Sequence, residues 1–283
     1  MLDRADFPAL VKVQDVLLDE LLGQYGGETT FAVDVKHAEL AVKDLVVVVR
    51  ASNLTVKVAL ADALNNFAID ARASGRNLER LSMQIYGVVD SILSFNRYAI
   101  RTLQSASEKD SAANIDVTLL RTFEDAMKSL ATQVTRVIVD ATTAMMSLDA
   151  LEDRLTAVHE LCVQETFTTA VSLDDLLWEL WTILGGNKSQ VRDLKRREAV
   201  LQAIERHRAL AVAYVSAATH TLVKIDAGLS DLRERLVGYS VDAEHIPLEV
   251  HLASLEQSLT RLQLARTTSA GSPPPTRALI GAA

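Results

Sequence analysis

The sequence predicts an all-α fold, an elongated antiparallel bundle of six or seven helices with long, coiled-coil-like members. Three observations predict it. Apolar residues recur in alternating steps of three and four over long stretches, a spacing that places them on one stripe of a helix. Pro8 and Pro247 flank a span, Ala9 to Ile246, that contains no proline, and Pro273, Pro274 and Pro275 follow it near the end. Proline inside a helix costs about 3 kcal/mol, so that span permits very long helices. No segment alternates as a strand should; the β-branched run Leu45 to Val49 would pass alone, but it falls within a helical stripe.

The elements follow in order. Asp6 is placed to cap a first helix reaching about Leu22, with Gly23, Gly26 and Gly27 to end it. Val35, Ala38, Val42, Leu45 and Val49 stripe a second helix, whose phase slips near Ser52 and Asn53, where a kink or short break is expected. A third seam runs Ala61, Leu64, Ala68, Ala71, Gly75, Leu78, Ser82, Ile85, Val89, Ile92, Asn96, Ala99, Leu103. Leu60, Phe67, Leu81, Val88 and Phe95 beside it widen the buried face, which favours a multi-helix bundle over a two-stranded coil.

The polar stretch Ser105 to Asn114 reads as a linker, about 105–115, and Asp116 as the N-cap of the next helix. That helix, to about Glu165, would be roughly 75 Å long at 1.5 Å per residue. Its seam is apolar throughout: Leu120, Phe123, Met127, Leu130, Val134, Val137, Ala141, Ala144, Leu148, Leu151, Leu155, Val158, Cys162. Ser172-Leu173-Asp174-Asp175 has the form of a capping box opening a short helix that Gly185-Gly186 closes. Asn187 or Ser189 starts another long helix, with the seam Leu201, Ile204, Arg208, Ala211, Val215, Ala218, Leu222, Ile225, Leu229, Leu232, Leu236; only Arg208 is polar. Pro247 suits the first turn of a last helix ending near Arg266. Residues 1–266 are thus expected to form one helical-bundle domain, and 267–283, with its Ser-Pro-Pro-Pro run, a disordered tail.

Composition narrows the function. The 283 residues are 49% hydrophobic and 23% charged, as in a folded chain. A net charge of −8 argues against a general binder of nucleic acid or of an anionic membrane, while leaving room for local basic patches. The lone Cys162 allows no internal disulfide, which favours a reducing, cytoplasmic setting. Met1 to Asp6 is acidic early and does not read as a signal peptide. The apolar run Ala209 to Val223, bounded by Arg208 and Lys224, falls short of the roughly 20 residues a spanning helix needs and reads as a buried helix.

No catalytic, metal or cofactor-binding residue is expected. Gly185-Gly186-Asn187-Lys188-Ser189 lacks the phosphate-loop spacing and follows a helix, where that loop follows a strand. None of the six histidines has a Glu three residues before it; Asp34 before His37 gives only a related spacing, without a Glu. Cys162 has His159 one turn earlier, a pairing that a nucleophile uses, but it continues an apolar seam and reads as core.

Two features could serve binding. One is the basic stretch Arg192, Lys195, Arg196 and Arg197, continued by Arg206 and Arg208. The other is the pair Trp178 and Trp181, where Trp181 shares an apolar face with Leu173, Leu177, Leu180 and Leu184 and Trp178 lies at its edge. The expected function is a non-enzymatic scaffold or interaction protein. It would bury an apolar helix face against a protein partner or a second copy, with Leu45 to Val49 and the Trp178 edge as contacts. The alternative is a peripheral helical bundle that binds or remodels a membrane surface.

Three segments add a resemblance: His37-Ala38-Glu39-Leu40-Ala41, Leu180-Trp181-Thr182-Ile183-Leu184-Gly185-Gly186-Asn187, and Pro247-Leu248-Glu249-Val250-His251-Leu252-Ala253-Ser254-Leu255-Glu256. In their order the chain resembles, up to its tail, an all-helical family of proteins from mushroom-forming fungi that has no established activity. The resemblance implies a helical fold and transfers no functional residue.

Overall fold

The structure is a computed structural model that describes residues 5–22, 28–109, 112–169, 198–237 and 246–270. Among them are six α-helices and no strand: α1 Phe7–Leu17, α2 Glu28–Ala51, α3 Lys57–Lys109, α4 Ala112–Thr169, α5 Glu198–Val237 and α6 Leu248–Ala270. The fold is an all-α bundle.

Local chemistry accounts for several helix ends. Asp6 caps α1 as its sequence position predicts, its Oδ1 accepting from Ala9 N at 2.9 Å. A single π turn, Leu18–Leu22, extends α1. The phase slip near Ser52 is a full break: Ser52 Oγ donates to the Val49 carbonyl at 2.7 Å and closes α2, and α3 begins at Lys57. The carbonyl of Pro247 accepts from Val250 N at 3.0 Å and opens α6, which continues past Arg266 to Ala270.

The expected start of α4 needs correction. The helix begins at Ala112, so Asp116 lies in its interior, and α3 extends through Ser105 to Lys109. A polar stretch is no barrier to a helix when it lacks proline and glycine. At 53 and 58 residues α3 and α4 have the expected length, while the described part of α5 has 40. The short helix expected over 172–184 and the Gly185-Gly186 junction lie outside the described residues.

The seams are the core. On α4, every seam residue from Phe123 to Leu151 is buried, as are Val158 and Cys162. On α5, Ala211 to Leu232 are buried at every seam position. Buried apolar side chains at such spacing hold the helices together by removing roughly 25 cal/mol worth of apolar surface per Å² from water.

The chain packs as two compact units. The first takes in 1–26, 84–138 and 220–283 and so contains α1, part of each of α3, α4 and α5, and α6. Phe7 is fully buried there, edge-on to Phe123 at 5.3 Å and to His251 at 5.9 Å between ring centroids. Gly228 of α5 lets α1 come close, since a Cβ there would stand 3.1 Å from Val13 Cγ2. The second unit, 27–83 and 139–219, contains α2 and the remaining parts of α3, α4 and α5. Val49, Phe67, Leu81 and Leu148 are among its buried core.

In the second unit α2 runs antiparallel to α3, as the pairs Glu39–Arg72 and Arg50–Asp62 show. There α3 is also antiparallel to α4, through Asp70–Arg154, Ser74 Oγ donating to the Ser147 carbonyl, and Arg80–Asp140.

Candidate functional site

The densest charge constellation lies on α2 and α3 of the second unit. Glu39 follows Ala38 on the apolar stripe of α2, and its side chain is 0% exposed. A lone buried carboxylate would be prohibitively costly, so it needs partners. Lys36, one turn earlier, donates from Nζ to Oε2 at 2.6 Å, and Lys43, one turn later, donates to Oε1 at 2.6 Å. Arg72 reaches across from α3, donating from Nε at 2.9 Å and from Nη2 at 2.7 Å to the same Oε1.

Burial alone would push the Glu39 carboxyl up; the hydrogen bonds from Lys36, Lys43 and Arg72 outweigh it and hold the group at about 2. Three cations surround one carboxylate, so two positive charges remain in surplus, on side chains that are all about half exposed.

A second buried carboxylate, Glu165 near the end of α4, caps α3. It accepts from Thr55 N at 3.0 Å, from Val56 N at 3.1 Å and from the Thr55 hydroxyl. Burial raises its carboxyl, and these hydrogen bonds bring it below the ordinary range. Cys162, one turn earlier, is buried, and its thiol is pushed up to about 11 by burial and then by the Glu165 charge. A thiol so hard to ionise is a core group, and His159 beside it is exposed.

The first unit holds a neutral cluster instead. Asn96 of α3 donates from Nδ2 to Gln14 Oε1 of α1 at 2.9 Å and to Ser258 Oγ of α6 at 3.2 Å. Ser258 Oγ donates in turn to Gln14 Oε1 at 3.2 Å, and all three side chains are buried. Near its rim Arg261 pairs with Asp15 and Asp19, and Glu20 accepts from Lys224 Nζ at 2.8 Å and the Thr221 hydroxyl at 2.9 Å.

The outer faces of the second unit carry apolar residues at heptad intervals. Leu40 and Val47 are exposed on α2, Ile69 and Met83 on α3, and Val139 and Met146 on α4. Met83 on α3 is 61% exposed and Val139 on α4 is 59% exposed, and the antiparallel register through Arg80 and Asp140 sets them within one helical turn of each other in height. Met146, 68% exposed, follows Val139 by one heptad. Within Leu45 to Val49, expected as a contact, only Val47 faces outward; the other four residues are buried.

Trp178, Trp181, Arg192, Lys195, Arg196 and Arg197, the candidate interaction residues, lie outside the described residues. Arg208, the polar position in the α5 seam, is mostly buried and donates from Nη1 to Glu152 at 2.9 Å. Among the described residues no group of three or more His, Cys, Asp or Glu side chains is placed to hold a metal ion. Among them also, no helix is long and apolar enough to cross a membrane.

Sequence reasoning missed the Glu39 constellation. A signal was present in Lys36-x-x-Glu39-x-x-x-Lys43, the spacing that sets all three on one side of a helix, with the Glu at the edge of an apolar stripe. Its fourth member, Arg72, has no local signature. No protein-family model matches the chain, and no curated protein matches it.

Proposed function

We propose that the protein is a non-enzymatic helical scaffold that docks helices of other chains, in the simplest case a second copy of itself. The observation that carries this reading is the exposed apolar pair Val139 and Met146, one heptad apart on α4 in the second unit, with Met83 also exposed on α3. Apolar residues a heptad apart on a helix face fit the a and d positions of a docking helix. Methionine adapts to irregular partners, which suits such a face. The buried, unreactive Cys162 fits a cytoplasmic location. Kinship with the all-helical fungal family belongs to the same reading.

A membrane-binding role draws on the uncharged run Ala209 to Val223 of α5. Ala211, Tyr214, Val215, Ala218 and Leu222 of that run are buried, which leaves Leu210 and Val223 as its exposed large residues. The protein-docking reading is therefore the stronger.

Sedimentation equilibrium tests it on the wild type and on the double variant Val139→Glu with Met146→Glu. The wild type is expected to rise above the 30.9 kDa of one chain with concentration, and the variant to stay at it with unchanged helicity. Equal masses for both proteins overturn the reading. Co-sedimentation of the wild type with vesicles, at unchanged self-association, would move the assignment to the membrane.

A further inference from the structure

We propose that Lys36, Lys43 and Arg72, fixed in place by the buried Glu39, form a binding site for a phosphate monoester dianion. The inference is independent of the helix-docking face, which lies on α3 and α4. Cations brought this close repel one another, and here one fully buried carboxylate holds them together. That ordering is complete before any ligand arrives, which removes part of the entropy cost of binding.

The donors left over define the ligand. Each lysine gives one contact to Glu39, at 2.6 Å, and keeps its remaining N–H donors. Arg72 uses Nε and Nη2, so Nη1 stays available. Two lysine point charges and one arginine fork suit a compact tetrahedral oxyanion. The surplus of two positive charges matches a dianion. It stands in a chain of net charge −8, so the attraction belongs to this place and not to the molecule as a whole.

The α2–α3 register also puts the exposed Arg76, one turn beyond Arg72, level with Lys36. Between the two lysines α2 exposes Leu40. A phosphate carried on a soluble molecule and one carried on a lipid headgroup present the same chemistry to these groups, and experiment separates the two sources.

The test is calorimetric titration of the full chain with glycerol 3-phosphate, beside co-sedimentation with phosphatidylcholine vesicles with and without phosphatidic acid. Saturable binding in either arm is expected, weakened about tenfold by Lys36→Gln or Lys43→Gln, roughly one charge-assisted hydrogen bond. Arg154→Gln, which removes a different ion pair of the same unit, is expected to bind like the wild type. Binding of glycerol 3-phosphate alone assigns a soluble ligand, and capture only by phosphatidic acid assigns a headgroup.

Should either lysine variant fail to fold, the wild type still decides. Bound phosphate is expected to slow acetylation of Lys36 and Lys43 by a small reagent, read by mass spectrometry. No binding in both arms, equal binding by both lysine variants, or unchanged acetylation at both lysines overturns the site.

Discussion

The two units bury polar groups by opposite means. In the first, Gln14, Asn96 and Ser258 form a neutral cluster whose amides and hydroxyl satisfy one another. In the second, the buried groups Glu39 and Glu165 are charged, and each is answered by cations or by backbone N–H donors. A neutral cluster specifies which helices meet without responding to pH. A buried carboxylate makes the same kind of specification conditional on its ionisation.

The largest effect is expected where the first unit is given the chemistry of the second. Asn96→Asp would place a carboxylate among Gln14 and Ser258, with no cation among its hydrogen-bond partners. An uncompensated buried charge costs about 3–5 kcal/mol, so denaturant unfolding at neutral pH should show a loss near that size. The loss should shrink as pH falls and the new carboxyl protonates. A variant as stable as the wild type at neutral pH would show that this cluster tolerates charge and that the contrast is false.

The reverse exchange, Glu39→Gln, is expected to cost about 2 kcal/mol, the scale of a hydrogen bond to a charged group. Its pH dependence carries the sharper information. Glu39 lies at about 2 against an ordinary 4.5, so the native state binds its proton less readily than the unfolded chain. Its stabilisation is complete above 4.5 and fades as pH falls toward about 2. Acid unfolding should therefore be less steep in Glu39→Gln than in the wild type. An identical acid slope in both proteins would mean that Glu39 is not the charge the second unit depends on.

These groups also mark how far the sequence can be read. The seams through Phe123 to Leu151 and Ala211 to Leu232 are legible because helical periodicity is a local property repeated many times. Asp6 is legible for the same reason, since a cap and its helix are neighbours. Glu165 is not, because the backbone it caps, at Thr55 and Val56, is remote in sequence. The Lys36, Glu39, Lys43 spacing was open to view, but it becomes a cluster only when Arg72 is brought across by packing. The division into two units is mostly invisible in the sequence: its boundary at 26/27 falls between two glycines, which read only as a helix stop, and those at 83/84, 138/139 and 219/220 fall within helices, at no proline, glycine or polar linker.

The smallest effect is expected at Asp15, the carboxylate of the first unit that goes against the pattern of Glu39. Burial raises its carboxyl above the ordinary 3.8; the Arg261 guanidinium pulls it down, and the nearby Asp19 charge pushes it up again. The balance is upward, so the native state holds the Asp15 proton more readily than the unfolded chain does. Ionised Asp15 therefore subtracts from stability, and the subtraction grows as pH rises through its raised value. Arg261 does not depend on it, since its Nη2 also donates to Asp19 at 3.0 Å and 3.1 Å. Asp15→Asn should leave the melting temperature at neutral pH unchanged or slightly raised, by the equivalent of about 0.5 kcal/mol, as for a partly exposed ion pair. Below 3.8, where the native aspartate is itself protonated, variant and wild type should melt together. A clear loss at neutral pH would make the Asp15–Arg261 pair a net support of α1 against α6, and the first unit would then depend on ionic contacts as the second does.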